Sequence, residues 1–343
     1  MSIAKAEIII SGYEHSFGIR SLQIHSSLGE HHTFELFAPI SIDDTLSRDD
    51  INQMLGQDVQ IRISDDEEQK GLFSGIIDEI SFGWDQYGSL NLIIEGFSPT
   101  VLLDGGPTFR GFEEKTAKDI VNTMLAAYPQ KSLPEMDVSD FDQHLPWWVQ
   151  MQETDYQAIL RLADHLGKIA YFDGESFRIG ELGEQEEPKT LKHAESIENL
   201  NLSVNLAPLN FRVEAYNPVD DAFLSEDAEN RYHGNNQWVK MAMDKSEVYP
   251  APHVFLHQSV KETADLSLVG QKLSARQAHE LVSINADSSD PSLRIGSKIS
   301  IQMPEKVMLS DALEGTDIFA LGGIRVHQER GRWPPKQPLV STC

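Results

Sequence analysis

Apolar and polar positions alternate through residues 1 to about 100. Ile8, Ile9 and Ile10 form a run inside Glu7–Ser11. Ile19, Leu22 and Ile24 recur in the next segment, and Phe34, Leu36 and Phe37 stand among polar residues. Val59, Ile61 and Ile63 alternate with Gln60 and Arg62, the period of a strand with one buried face. Leu72–Ile80 and the alternation of Leu90, Leu92 and Ile94 continue the series, with turns at Asp65–Glu68 and Trp84–Gly88. Ser41–Met54 is polar and acidic and predicts a connection or a short helix. Short strands with regular turns and no strong helix predict a small barrel or sandwich.

The period then changes. After a connector containing Gly105-Gly106-Pro107, Thr116 and Asp119 can cap a helix whose apolar face is Ala117, Ile120, Val121, Met124 and Leu125. Tyr128–Phe141 reads as a polar loop. Leu145–Arg178 begins extended and aromatic. Thr154 with Gln157 is a capping box, Tyr156, Ile159, Leu160, Ala163 and Leu166 line one helix face, and Gly167 is a stop. Ile169 and Tyr171, then Phe177 and Ile179, predict a hairpin turning at Asp173-Gly174.

Glu181, Glu184, Glu186 and Glu187, followed by Pro188, mark a domain boundary. Leu200, Leu202 and Val204, then Phe211, Val213 and Ala215, resume strand alternation. Pro218–Pro252 shows no periodicity and reads as an excursion. His253–His257 predicts a short strand, Thr263–Leu281 a helix, and Phe319–His327 a last strand before a tail at Arg332–Lys336.

Composition narrows the function. The chain of 343 residues has 54 acidic against 28 basic residues and a net charge of −26, which excludes the basic footprint of a nucleic-acid binder. Its N-terminus lacks the apolar core of a secretory signal, and no stretch has the length to span a bilayer. A single cysteine, Cys343, excludes an intrachain disulfide framework. Gly105-Gly106-Pro107 lacks the ending of a phosphate loop, and no His-Glu-x-x-His or Gly-x-Ser-x-Gly run occurs. The closest histidine pairs are His31-His32 and His253 with His257. Glu153 and Asp155 could be imagined as an acid–base pair, but Asp155 sits where a helix's first turn favours an acid. Trp147-Trp148 could stack on a sugar or pack internally. No cofactor is expected.

The run Gln152-Glu153-Thr154-Asp155-Tyr156, continued by Ile159, Leu160, Arg161, Leu162 and Gly167, resembles the most recognisable block of the spike-hub proteins of contractile injection systems. That family includes the VgrG proteins of type VI secretion and the hubs of contractile phage tails. Phe109-Arg110-Gly111-Phe112 with Lys115-Thr116 and Asp119-Ile120-Val121 is similar to the family's entry to its middle domain. Phe73-x-Gly75-Ile76-Ile77 and Leu293-x-x-Gly296 are similar to strands of its two tube domains.

The resemblance implies a mainly β fold in which two small antiparallel β-barrel tube domains flank an α+β domain. The expected boundaries are 1–103 for the first barrel and 104–187 for the α+β domain. The second barrel takes 188–330, with an excursion at about 218–262, and 331–343 is a tail or linker. It implies a non-enzymatic homotrimer that adapts a hexameric inner tube to a trimeric spike. Its partners would be the tube protein, a separate or downstream spike, baseplate proteins and effectors. Assembly would occur in the cytoplasm, with neither nucleic-acid binding nor stable membrane insertion. Glu153, Thr154, Asp155, Tyr156, Leu160, Arg161, Leu162 and Gly167 would be its structural motif. Two other readings stay open: a phage-tail cell-wall hydrolase, which needs a carboxylate pair in a cleft, and a carbohydrate-binding module using Trp84, Trp147 and Trp148 on one flat face.

Overall fold

The computed structural model describes residues 5–13, 18–40, 47–65, 68–84, 90–129, 132–138, 141–182, 187–193, 195–217, 220–228, 237–256, 263–278, 281–288, 290–303, 318–327 and 337–342. The turns read at 66–67 and 85–88, Glu184, Glu186, His257, the tail at 332–336 and Cys343 lie outside them. The chain divides into two compact units. The first holds Met1–Glu187, Ser288–Ser297 and Ala320–Leu339, and the second holds Pro188–Asp287, Lys298–Phe319 and Val340–Cys343.

The first unit opens with β1 (Lys5–Ile10), β2 (Ser21–Ser27), β3 (Thr33–Pro39), a short helix α1 (Arg48–Met54), β4 (Asp58–Asp65), β5 (Glu68–Trp84) and β6 (Leu90–Phe97). Each strand alternates as the sequence requires: Leu22 and Ile24, Phe34 and Leu36, and Val59, Ile61 and Ile63 all point into the core. Ser47 caps α1 in a capping box with Asp50. A 3-10 helix (Pro99–Asp104) leads to β7 (Thr108–Thr116) and α2 (Ala117–Leu125). Then come β8 (Glu135–Val138), β9 (His144–Glu153), α3 (Asp155–His165), β10 (Ile169–Phe172) and β11 (Ser176–Gly180).

The expected barrel does not form. The strands pair in the open order β1-β4-β5-β6-β3-β2, and β2 continues to β19 (Ile318–His327), so the path does not return to β1 among the described residues. Alternation reveals that one face is buried, not what buries it. Here the cover is other chain: a single apolar core joins Phe34, Phe73 and Ile94 of the sheet to Ile120, Ile159, Phe172 and Phe177. Phe172 stands edge-on to Phe73 at 6.3 Å.

β5 explains the geometry. Residues 68–76 pair with β4 and residues 76–84 with β6, so β5 changes partner half-way along its 17 residues. Its first half is met by the β10–β11 hairpin, where the Ser74 amide donates to the Gly174 carbonyl at 2.7 Å. The hairpin turns at Gly174-Glu175, one residue later than the sequence suggests. Asp173 and Ser176 close it, and the Asp173 carboxylate accepts from both the Glu175 and the Ser176 amides. Gly174 has φ of 109°, and a Cβ there would stand 3.0 Å from the Leu72 carbonyl, so the close approach requires glycine. The segment 288–297 joins the same region. Gly296 abuts the Tyr171 ring, and Arg294 pairs with Glu175.

The second unit carries β12 (Lys189–Lys192), β13 (Ile197–Val204), β14 (Phe211–Asn217), β15 (Ala222–Ala228), α4 (Gln237–Ser246), β16 (His253–Leu256), α5 (Thr263–Ala278), β17 (Val282–Ser288) and β18 (Lys298–Gln302). β20 (Gln337–Thr342) follows β19. The second antiparallel barrel is likewise absent. β14 is central in an open three-stranded sheet, antiparallel to β15 but parallel to β16, and β12 runs parallel to β18. Helix α5 places Leu266 against Phe211, Val213 and Ala215. The reason is connectivity. Parallel pairing needs long crossovers, which the chain uses to bring helices onto strands instead of closing a meander. The stretch read as irregular contains β15 and α4, whose Val239 and Ala242 pack in a separate small core with Leu209 and Val282.

His32 gives the first unit a pH-sensitive core. Its ring lies 5.3 Å from Phe172, and burial lowers its pKa to about 4, opposed by the nearby Ser27 backbone and the Asp173 charge. The unfolded chain takes up this proton near the ordinary value of 6.5, so stability is lost as pH falls from about 6.5 through 4. The loss should reach roughly 3 kcal/mol. Denaturant unfolding at pH 7 and pH 4 measures it, and His32→Leu should remove that part of the slope.

Candidate functional site

The eight motif residues lie at the junction where β9 hands over to α3. Thr154 is the N-cap of α3: its hydroxyl accepts from the Gln157 amide, while the Gln157 side chain accepts from the Thr154 amide. The Thr154 hydroxyl also donates to Asp104 at the end of the 3-10 helix. The other carboxylate oxygen of Asp104 meets His31 Nε2 at 2.8 Å, and His31 Nδ1 meets the Thr100 hydroxyl at 2.9 Å.

Asp155, next in sequence, is 1% exposed. Its Oδ1 accepts from Gln150 at 2.8 Å, and its Oδ2 accepts from the Tyr128 hydroxyl at 2.8 Å and from Arg110 at 3.2 Å. A buried carboxylate is tolerated when its oxygens are satisfied in this way. Burial, and then the hydrogen bond to Asp155, push the Tyr128 phenol up to about 12.

Glu153 and Arg161 form a forked pair. Arg161 Nε donates to Glu153 Oε2 at 2.9 Å, and its Nη2 donates to Glu153 Oε1 and to the Val149 carbonyl. The guanidinium lies 4.0 Å over the Trp148 ring, a cation–π contact that fixes β9 against α3. Tyr156 and Leu162 are buried, and Leu160 packs on the core half-buried. Burial raises the Tyr156 phenol, with the Asp104 and Glu30 charges adding to it. Gly167 has φ of 71° and donates to Asp164, which ends the helix.

Glu153 and Asp155 thus serve separate partners. The sequence assigned none of Arg110, Tyr128, Gln150, Asp104 and His31 to this junction. Arg110 reaches Asp155 across 45 residues, and no local pattern encodes that meeting. Trp147 and Trp148 part company, as successive strand residues must: Trp148 is buried, while Trp147 is 51% exposed. Trp84 is exposed on β5, in a different sheet from Trp147, so the three tryptophans share no platform. His31 is held by Thr100 and Asp104 and His32 is in the core. Among the described residues no group of three or more His, Cys, Asp or Glu could hold a metal. Nor, among them, is any helix long and apolar enough to cross a membrane.

Residues 26–306 match the family model described as phage tail baseplate hub (GPD). The chain belongs to the phage tail baseplate hub family. Solved structures agree in fold. A tail protein from Neisseria meningitidis MC58 is 15% identical, with a TM-score of 0.68 over 99% of this chain and 96% of that one. The 43 kDa tail protein of prophage MuSo2 from Shewanella oneidensis is 12% identical, with a TM-score of 0.69 over 99% and 98%. The E. coli c3393 protein, a component of the type VI secretion system, is 12% identical, with a TM-score of 0.61 over 98% and 76%. Among curated proteins none matches the chain. The family match makes this chain a baseplate hub protein, and the solved structures show that it shares its fold with tail and type VI secretion proteins. The β9–α3 junction is accordingly a scaffold joint of a hub protein.

Two variants test the joint. Asp155→Ala leaves Gln150, Tyr128 and the half-buried Arg110 without their shared acceptor and should cost about 1–3 kcal/mol. Thr154→Ala removes the cap and the hydrogen bond to Asp104 and should cost about 1–2 kcal/mol. Denaturant unfolding of each against the parent chain reads both.

Proposed function

We propose that this chain forms a homotrimeric hub that adapts a hexameric inner tube to a trimeric spike. The observation that carries the reading is the hub-family match over residues 26–306. Three copies that each present two tube-facing regions offer six positions to a sixfold ring while keeping threefold symmetry toward a spike. Residues 1–103 and 188–330 would supply those regions, with the stretch at about 218–262 an excursion of the second. Residues 104–187 would form the part outside the ring, and 331–343 a tail or linker toward the spike.

In this reading the tube protein, spike and baseplate proteins are the partners, and effectors travel with the assembly. Assembly takes place in the cytoplasm. Glu153, Thr154, Asp155, Tyr156, Leu160, Arg161, Leu162 and Gly167 act as a structural motif that keeps the outer part rigid. Light scattering after size-exclusion chromatography should give three times the 38.5 kDa protomer mass. A strict monomer at high concentration, with the spike protein also supplied, would count against the trimer.

A further inference from the structure

One sheet feature of the first unit is unexplained by the scaffold joint. Glu79 of β5, Glu95 of β6 and Glu35 of β3 are directly opposite one another in register, so three carboxylates form a row on one face of the sheet. Directly opposed like charges destabilise a sheet. The Glu95 pKa is raised, first by burial and then by the Glu35 and Glu79 charges. At the β2 end the row meets Gln23, which is neutral. Among the described residues none of the three makes an ion pair. The other end of the row stops at an edge. Past Ile77, which bonds to Gln57, β5 pairs only with β6 among the described residues, so Asp78–Trp84 has one edge without a strand. That edge carries Phe82, 45% exposed, and Trp84, 72% exposed.

Soluble proteins usually blunt such edges with lysine, proline or a short length. This one has a bulge at Ile77/Glu79, and beyond it the edge offers two exposed aromatics and a glutamate whose row already holds two more. We propose that the Asp78–Trp84 edge of β5 receives an extended strand from another protein of the assembly. That strand would carry a lysine or arginine opposite Glu79 and apolar side chains beside Phe82 and Trp84. Backbone pairing supplies the affinity, and the cation offsets the three adjacent glutamates of the row, which continues through Gln23 to His327. A second copy offering the same edge is the poorer occupant, because it brings Asp78 and Glu79 against an edge that already carries them.

The inference rests on the hub role, and the test separates the two. Full-length chain carrying Ser81→p-benzoylphenylalanine is expressed with the other components of its particle, the particles are purified and irradiated, and adducts are identified by mass spectrometry. The expected adduct is on an extended segment of a different particle protein, with Lys or Arg within two residues of the linked position. Glu79→Lys in the same background should lower adduct yield about tenfold. The same variant should raise the thermal midpoint of the isolated chain, because it breaks the like-charge row. Adducts confined to a second copy, no adduct from particles that contain the chain, or a yield indifferent to Glu79→Lys would each overturn the docking edge. Particles that lack the chain would overturn the hub role itself, and this inference with it.

Discussion

The buried carboxylate of Asp155 is the constraint on which the first unit's middle depends. A charge with 1% exposure is stable only while its partners stay in place, and those partners come from three other segments. Arg110 ties in β7, Tyr128 the turn after α2, and Gln150 the end of β9. Moving any one of them would strand the charge, so the helices and the ribbon are set relative to one another by electrostatic need rather than by apolar packing alone. Thr154, one residue earlier, extends the same arrangement to Asp104 and His31. Glu153, one earlier again, clamps Arg161 over Trp148. Three successive polar side chains therefore face three different directions and fasten three different parts of the fold.

The sheet answers a different problem. An open sheet must cover its apolar face and manage its edges. β5 does so over its first half, where it pairs with β4 and meets the tip of the β10–β11 hairpin through Gly174, while among the described residues Asp78–Trp84 keeps one edge without a strand. A barrel covers its inner face by closure, whereas here Phe172 and Phe177 share a core with Phe34 and Phe73. Cover by another part of the chain replaces closure.

What the sequence revealed and what it hid divide along range. The capping box at Thr154 and Gln157, the cap at Thr116, the stop at Gly167 and the alternation of Val59, Ile61 and Ile63 are written within a few residues, and each appears in the structure. Which strands meet is not written locally. Alternation at β14 looks the same whether its neighbour runs parallel or antiparallel, so the pairing with β16 gave no warning. Helix α4 was missed because its buried positions, Val239, Ala242 and Ser246, include a serine and are only three in number. The hairpin turn shifted by one residue because the Asp173 carboxylate accepts from two backbone amides and so takes the closing position itself. The motif was legible as a helix start, but its role as a joint depended on Arg110 and Tyr128, which are far away in the chain.

The segment 288–297 has a consequence for how the molecule comes into being. It belongs to the compact unit that begins at residue 1, where Gly296 abuts Tyr171 and Arg294 holds Glu175. A chain emerging from the ribosome at about 5–20 residues per second therefore displays the first unit's strands well before the piece that completes them. The second unit waits too, since β12 needs β18, more than a hundred residues later. Neither half can be finished early. The first unit is therefore complete only once residues 288–297 have been made.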